Sequence, residues 1–316
     1  MTAVLFTTTR MVKPVLKWAG GKTQILHEIL PRLPSEFNHY HEPFFGGGAV
    51  FFELQPPNGT INDLNSRLMN FYRVVRDRPD ELIEVNKEHQ KFIRDLDDEE
   101  TEEYYYDQRD RFNDLRQHGL CENEVKEASL LLFLNRTCYN GLYRENQSGE
   151  YNVPFGSRHN PDVVREDRIR EVNKVLQNTD IRNQEFTYIR HVAQENDAVY
   201  FDPPYKPVSD TANFEDYLAG GFGAEKQKDL RNLAIELHEK GVYVTISNSW
   251  PARQLYDNNK AEVDIPEPFD IEPITANRTI NSNGADRTGT KEIIVTNVPQ
   301  SMRQGTLSRF AAEDVQ

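Results

Sequence analysis

Two cysteines, Cys121 and Cys138, stand 17 positions apart in a chain of 316 residues, and no Cys-x-x-Cys pair occurs. So sparse a set argues against a disulfide framework and against a zinc site, and it fits a reducing cytoplasm. Long apolar runs are missing too. Stretches such as Leu130–Leu134 fall far short of the roughly 20 residues a membrane-spanning helix needs. The N-terminus offers only Val4–Phe6 as an apolar stretch, so no secretory signal is expected. Positive charge is short as well: 37 Lys and Arg face 51 Asp and Glu, a formal net charge of −14. On that total alone a nucleic-acid partner is unexpected, because proteins that bind polyanions are usually basic. Lysine is the scarcer base, 13 against 24 arginines, which with the acid surplus hints at a salt-adapted surface.

What is present points to a folded protein. Hydrophobic residues make up only 37% of the chain, yet 14 Tyr, 17 Phe and recurrent short apolar runs provide a core, and the length suggests two domains. Charge is unevenly placed. Residues 1–27 carry Arg10, Lys13, Lys17 and Lys22 and no acid, whereas residues 80–124 hold 16 acids against six bases, as expected of a solvated helical face. Helix is expected over Lys22–Leu33, a short strand over His39–Phe44, a helix from Ala49, a strand at Thr60–Asn62 and a helix over Asn65–Arg76. That is a β-loop-α-β unit, the signature of a parallel sheet with helices packed on it. Residues 80–136 read as long polar helices and 137–160 as a hairpin or irregular loop. Strands return at Ala198–Phe201, Val242–Ser247 and Glu292–Thr296, with a helix over Glu225–Glu239. The pattern predicts an α/β fold, residues 1–69 and 166–316, interrupted by a mostly helical insert over 70–165.

Three motifs carry chemistry. In Glu42-Pro43-Phe44-Phe45-Gly46-Gly47-Gly48, glycines directly after a strand let backbone approach a cofactor. Asp63 follows 17 residues after Gly46, at the end of the next strand, where a carboxylate suits ribose hydroxyls. This pair fits adenosine-containing cofactors in general, NAD or S-adenosylmethionine. The second motif, Lys17-Trp18-Ala19-Gly20-Gly21-Lys22-Thr23, superficially matches a phosphate-binding loop, but the glycine required five positions before Gly21 is Leu16. Trp18 suits stacking on an adenine instead, with Lys22 meeting a carboxylate.

The third motif is Val199-Tyr200-Phe201-Asp202-Pro203-Pro204-Tyr205. Two consecutive prolines cannot donate to a sheet, so the strand stops at the carboxyl edge where α/β proteins bind ligands. Asp202 and the Pro203 carbonyl can each accept one N–H of an exocyclic amino group, and Tyr205 can stack on its base. Holding both hydrogens out of the ring plane localises the nitrogen lone pair toward an electrophilic methyl.

On these residues the chain resembles the S-adenosylmethionine-dependent DNA N6-adenine methyltransferases of the Dam family. The likeness runs from Lys17 to Asn297 and includes Leu134-Asn135-Arg136, Tyr139-Asn140-Gly141-Leu142, Gly149–Gly156, Thr211–Phe214, Ile246-Ser247-Asn248 and Ser282-Asn283-Gly284. The resemblance implies a Rossmann-like class I methyltransferase sheet whose insert carries a β-hairpin and recognises the target. It implies S-adenosylmethionine held by Trp18, Lys22, Phe44, Gly46, Gly48, Asp63 and Asp202, with Asp202, Pro203, Pro204 and Tyr205 catalytic. Double-stranded DNA becomes the expected partner and GATC the expected site. Lys17 would contact the first guanine, Arg144 the guanine opposite the final cytosine, Leu142 and Pro154 the thymine methyl. Tyr139 would wedge into the stack with Asn140 beside it, and Asn152 and Arg158 would complete the DNA contacts. A family arginine that follows Pro-Phe-Gly falls on Ser157, with Arg158 one place on, and Cys138 replaces a glycine. Residues 206–223 have the length of a lid. No metal is expected, nor a membrane partner, and the protein is expected to be a cytoplasmic, DNA-associated monomer or weak dimer. The rival readings are a cytosine-N4 methyltransferase, which Asp202 in place of serine disfavours, a different short target sequence, or a catalytically idle DNA-binding homologue.

Overall fold

The structure, a computed structural model, describes residues 12–117, 124–157, 161–204, 222–257, 265–266, 269–276 and 290–304. Its sheet strands are β1 (Tyr40–Glu42), β2 (Gly59–Asn62), β3 (Thr179–Arg182), β4 (Ala198–Phe201), β5 (Tyr243–Ser249), β6 (Asp270–Ala276) and β7 (Thr290–Thr296). They lie in the order β3-β2-β1-β4-β5-β7-β6. The first five are parallel and β7 runs antiparallel to both β5 and β6. This is the Rossmann-like α/β sheet anticipated from sequence. The strand order reverses between β1 and β4, which makes the crevice outside their carboxyl ends the place where such sheets bind ligands.

Strand β4 shows why the sheet is buried on both faces. Its four residues Ala-Val-Tyr-Phe are all buried, as expected of a central parallel strand. Side chains alternate across it: Ala198 and Tyr200 join one core cluster, Val199 and Phe201 the other. The second cluster is closed by α8 (Ala224–Glu239) through Leu230, Leu233, Ala234 and Leu237. The first is far larger. It runs from the sheet through α2 (Ala49–Leu54) and a group of long helices, α3 (Ser66–Asp77), α4 (Pro79–Ile93), α5 (Asp98–Gln117), α6 (Glu124–Thr137) and α7 (Glu166–Leu176). Helix α6 is the axis of this group. The apolar Ala128–Leu134 run buries nearly all of it, and α3, α4 and α5 pack around it. Fully buried side chains of this kind, Leu132 and Phe133 among them, stabilise by about 1.5–3 kcal/mol each.

The acid-rich stretch folds as α4 and α5, and every described acid in it is exposed. Only the inward stripe of α5 is apolar or neutral: Thr101, Tyr105, Gln108 and Phe112 are buried at helical spacing. Three elements differ from expectation: the Lys22–Leu33 segment and the strands β3 and β6. Lys22–Leu33 is not one helix but a single α turn, α1 (Leu26–Ile29), flanked by 3-10 turns. Pro31 has no N–H to continue the helix, and no side chain caps its start after Gly20-Gly21. Residues 137–157 form the expected hairpin or irregular loop, held by two isolated bridges, Cys138 with Phe155 and Glu145 with Tyr151, in place of a ladder. Strands β3 and β6 escaped the sequence reading because both are edge strands, β3 half polar and β6 carrying Pro273. No helix among the described residues is long and apolar enough to cross a membrane.

Candidate active site

The carboxyl ends of β1, β2 and β4 surround one cavity of about 530 Å³, within the size range of cofactor pockets. Its wall contains Trp18, Lys22, Phe44, Gly46, Gly48, Asp63, Asp202, Pro203 and Pro204. The sequence expectations for the cofactor residues therefore converge on one space. Tyr205 and most of the 206–223 segment lie outside the described residues.

Local chemistry explains the shape of the wall. After β1 the chain turns at Phe45, whose N–H donates to the Asn62 carbonyl (2.8 Å), and enters α2 at Gly48. Gly48 has φ +71°, and a Cβ there would sit 2.3 Å from the Phe45 ring, so only glycine fits. Asp63 closes the turn after β2. Its two carboxylate oxygens accept from the backbone N–H of Gly46 (3.0 Å) and of Asn65 (2.9 Å), and Asn65 caps α3 by accepting from Leu68 N–H (3.0 Å). Burial raises the Asp63 pKa, and those backbone donors hold it back.

Lys22 and Asp202 meet across the cavity floor, Nζ to Oδ1 at 2.9 Å. Burial alone would lower the lysine, but the Asp202 carboxylate outweighs it and keeps the ammonium above its ordinary value. Burial pushes the Asp202 carboxyl up, and Lys22 with Ser247 counters it. Ser247 on β5 donates to Asp202 Oδ1 at 2.9 Å. Glu42, at the end of β1, is buried; it accepts from the Tyr40 hydroxyl at 3.2 Å, and burial holds its pKa well above the carboxylate range.

The wall also holds residues that sequence reasoning did not single out: Leu64, Gln184, Phe186, Phe222 and Glu292. Gln184 and Phe186 follow β3, an element the sequence pattern hid. Glu292 is level with Ser249 across the antiparallel β5–β7 pair, a placement that only the sheet order brings about. The donor set fits the S-adenosylmethionine that the resemblance implies. A buried ammonium suits a carboxylate, Asp63 suits a ribose, aromatic rings suit a purine, and a floor rich in carboxyl groups suits a sulfonium. Among the described residues no group of three or more His, Cys, Asp and Glu has metal-binding geometry.

Among the described residues none of the expected DNA-reading side chains lines the cavity; all of these but Lys17 lie on the hairpin beside it. Tyr139 is 51% exposed, Asn140, Arg144 and Pro154 are exposed, and Leu142 and Asn152 are partly so. Arg144 Nε donates to Asn152 Oδ1 (2.7 Å), and Tyr139 N–H donates to the Pro154 carbonyl (2.9 Å). The hairpin is held from behind by α5, where Tyr105 donates to the Val153 carbonyl (2.7 Å) and Asn113 exchanges two bonds with Tyr151. Cys138 fills the base of the hairpin fully buried, with Sγ 3.4 Å from the Leu142 carbonyl. Arg158 lies outside the described residues, and Ser157 takes φ +45°.

The hairpin and cavity are joined directly. Asn135 accepts from Lys17 N–H (2.9 Å) and donates to the carbonyls of Lys17 (2.8 Å) and Gly141 (3.0 Å). Next to Lys17, Trp18 stacks on Tyr143 of the hairpin, ring centroids 4.9 Å apart.

Known proteins agree with this architecture. The family profile of the D12 class N6 adenine-specific DNA methyltransferases matches residues 18–280. The chain is 40% identical over 290 residues to a type II methyltransferase, M1.LlaDCHI, of Lactococcus lactis subsp. cremoris, covering 90% of this chain and 95% of that protein. It is 39% identical over 299 residues to the type II methyltransferase M.MjaIII of Methanocaldococcus jannaschii, covering 90% and 99%. Against a DNA adenine methylase of Escherichia coli it is 34% identical over 281 residues, covering 88% and 93%. The inference drawn from total charge, that nucleic acid is an unexpected partner, is thereby corrected: the acid surplus stands on the outer faces of α4 and α5, while Lys17 and Arg144 stand beside the cavity. The chain belongs to the D12 class of N6 adenine-specific DNA methyltransferases.

Proposed function

We propose that the protein methylates N6 of an adenine extruded from double-stranded DNA within GATC. The observation that carries the reading is the meeting of Asp202 and Pro203 with Lys22 and Asp63 around one cavity, with the hairpin tied to its rim. S-adenosylmethionine, the methyl donor of such enzymes, supplies an electrophilic methyl on a sulfonium. Trp18, Phe44 and the glycine turn Gly46–Gly48 form its purine and backbone cradle, Asp63 takes the ribose, and Lys22 takes the carboxylate. Asp202 and the Pro203 carbonyl accept the two N–H bonds of the adenine amino group, Pro204 shapes the edge, and Tyr205 stacks on the base. Chemistry on a paired base requires extrusion at a cost of a few kcal/mol, which Tyr139 offsets by wedging into the gap.

Residues 70–165 serve target recognition, and 1–69 with 166–316 serve catalysis. Lys17 and Arg144 read the guanines, the latter by the bidentate pairing that the major groove favours. Leu142 and Pro154 meet the thymine methyl, and Asn140, Asn152 and Arg158 complete the contacts. The enzyme acts as a cytoplasmic, DNA-associated monomer or weak dimer, and the type II relatives support a place in restriction-modification. The test is expression in a host lacking adenine methylation, followed by digestion with a nuclease that cuts only methylated GATC. Cutting supports the reading. N6-methyladenine in another sequence overturns the GATC assignment, N4-methylcytosine overturns the base, and unmodified DNA marks an idle homologue.

A further inference from the structure

Asp202 stands at the end of a chain of hydroxyl groups. The pairing of Tyr200 with Thr245 and of Phe201 with Ile246 places Ser247 level with Asp202 across β4 and β5. The Ser247 hydroxyl lies 2.9 Å from Asp202 Oδ1 and 2.9 Å from the Tyr200 hydroxyl, and both residues are almost fully buried. The direction of these bonds is fixed from the carboxylate end. An ionised carboxylate only accepts, so Ser247 donates to Asp202 and its oxygen accepts from Tyr200. Burial holds the Tyr200 phenol well above its ordinary pKa, so it remains a donor. The other partner of Oδ1, Lys22 Nζ, comes to the same oxygen. The two restraints differ in kind. Lys22 ends a long flexible stem and is the group expected to turn toward a cofactor carboxylate, whereas Ser247 rides on the sheet with a single side-chain torsion.

We propose that Ser247, oriented by Tyr200, is a positioning residue that holds Asp202 by Oδ1 so that Oδ2 faces the amino group to be methylated. This rests on the role given to Asp202 above. Neither Ser247 nor Tyr200 touches the reacting atoms; both act through that carboxylate. Loss of the Ser247 donor would also raise the Asp202 pKa. The other titratable groups near Asp202 are Lys22 from the N-terminal turn, Glu42 on β1, Tyr200 on β4 and Glu292 on β7, and the substitution leaves these in place.

The experiment compares Ser247→Ala, Ser247→Thr, Tyr200→Phe and the double variant Tyr200→Phe/Ser247→Ala. Single-turnover methyl transfer to GATC duplexes is measured at saturating S-adenosylmethionine across pH, alongside S-adenosylmethionine binding and thermal melting. Ser247→Ala is expected to slow transfer about 10–100-fold while cofactor affinity changes less than about threefold, as for an interaction specific to the transition state. Its acid limb should move to higher pH, since a carboxylate that loses a donor protonates more easily. Ser247→Thr should recover most of the rate, and Tyr200→Phe should slow transfer by a few fold. The double variant should be no slower than Ser247→Ala, because Tyr200→Phe keeps the ring on the cavity wall and removes only the hydroxyl, which hydrogen-bonds Ser247. A Ser247→Ala enzyme with an unchanged rate and acid limb overturns the proposal, as do strictly additive losses in the double variant. Should Ser247→Thr fold poorly, Tyr200→Phe, which removes one oxygen, still decides through its additivity. Full activity in Asp202→Ala would instead overturn the role of Asp202, and so is distinguishable from failure at Ser247 alone.

Discussion

The cavity and the hairpin, although joined at Trp18 and Tyr143, are held in opposite ways. The cavity is set by backbone: Asp63 is fixed by two main-chain N–H groups, and Gly48 leaves no room for a Cβ. Lys22 and Asp202 pair across its floor. The hairpin has two isolated bridges, exposed side chains, and support that comes from behind, from α5 and Cys138. The difference matches the two tasks proposed above. Transfer chemistry needs donors and acceptors already in place in a dry site, whereas reading base edges needs polar side chains that reach out of the protein into a groove.

Substitutions can separate the two regions. The largest effect is expected at Asp202: Asp202→Ala should lower turnover on the order of 10³-fold in an N6-methyladenine assay while DNA binding persists. Arg144→Ala should do the reverse, losing about 1–3 kcal/mol of discrimination at one base pair in competition with altered duplexes, with cofactor affinity intact. Tyr143→Ala is the variant that blurs the boundary. Loss of its stack on Trp18 should cost about 0.5–1.5 kcal/mol and weaken both cofactor and DNA binding; an effect on one alone would mean the regions are independent.

Smaller effects concern charge. Glu42 has a raised pKa in the folded state, so its contribution favours the fold at low pH and is lost as pH rises through that value. Glu42→Gln should therefore raise the melting temperature at neutral pH, and the gain should vanish below about pH 4.3, where the unfolded-state carboxyl is also protonated. Last, with Lys17 and Arg144 assigned to base contacts under the proposed function, log DNA affinity should fall with log salt at a slope of only about −2 to −3 between about 0.05 and 0.5 M. A much steeper loss would give phosphate contacts the dominant share.

The parts of the site that lie within one short segment were readable from residues: the glycine turn at 46–48, Asp63 and Asp202-Pro203. Each is defined by a local requirement, such as a positive φ or a strand that must stop. The edge strands β3 and β6 were not readable, because half-polar residues and a proline carry no alternation signal. With β3 unseen, Gln184 and Phe186 could not be placed on the wall. Ser247 stood within a quoted motif, but its bond to Asp202 depends on strand register. The helical break at Pro31 was marked by the proline itself.

The class of chemistry and the order of its parts are written into the residues, since turn glycines, paired prolines and an acid after a strand each constrain the chain locally. Which charges face which partners depends on the folded packing. It turned the acids of α4 and α5 outward and set Lys22 against Asp202. It also laid Ser247 and Glu292 beside residues 45 and 90 positions away. Those distances in sequence are closed by sheet register and core packing, which depend on every strand at once.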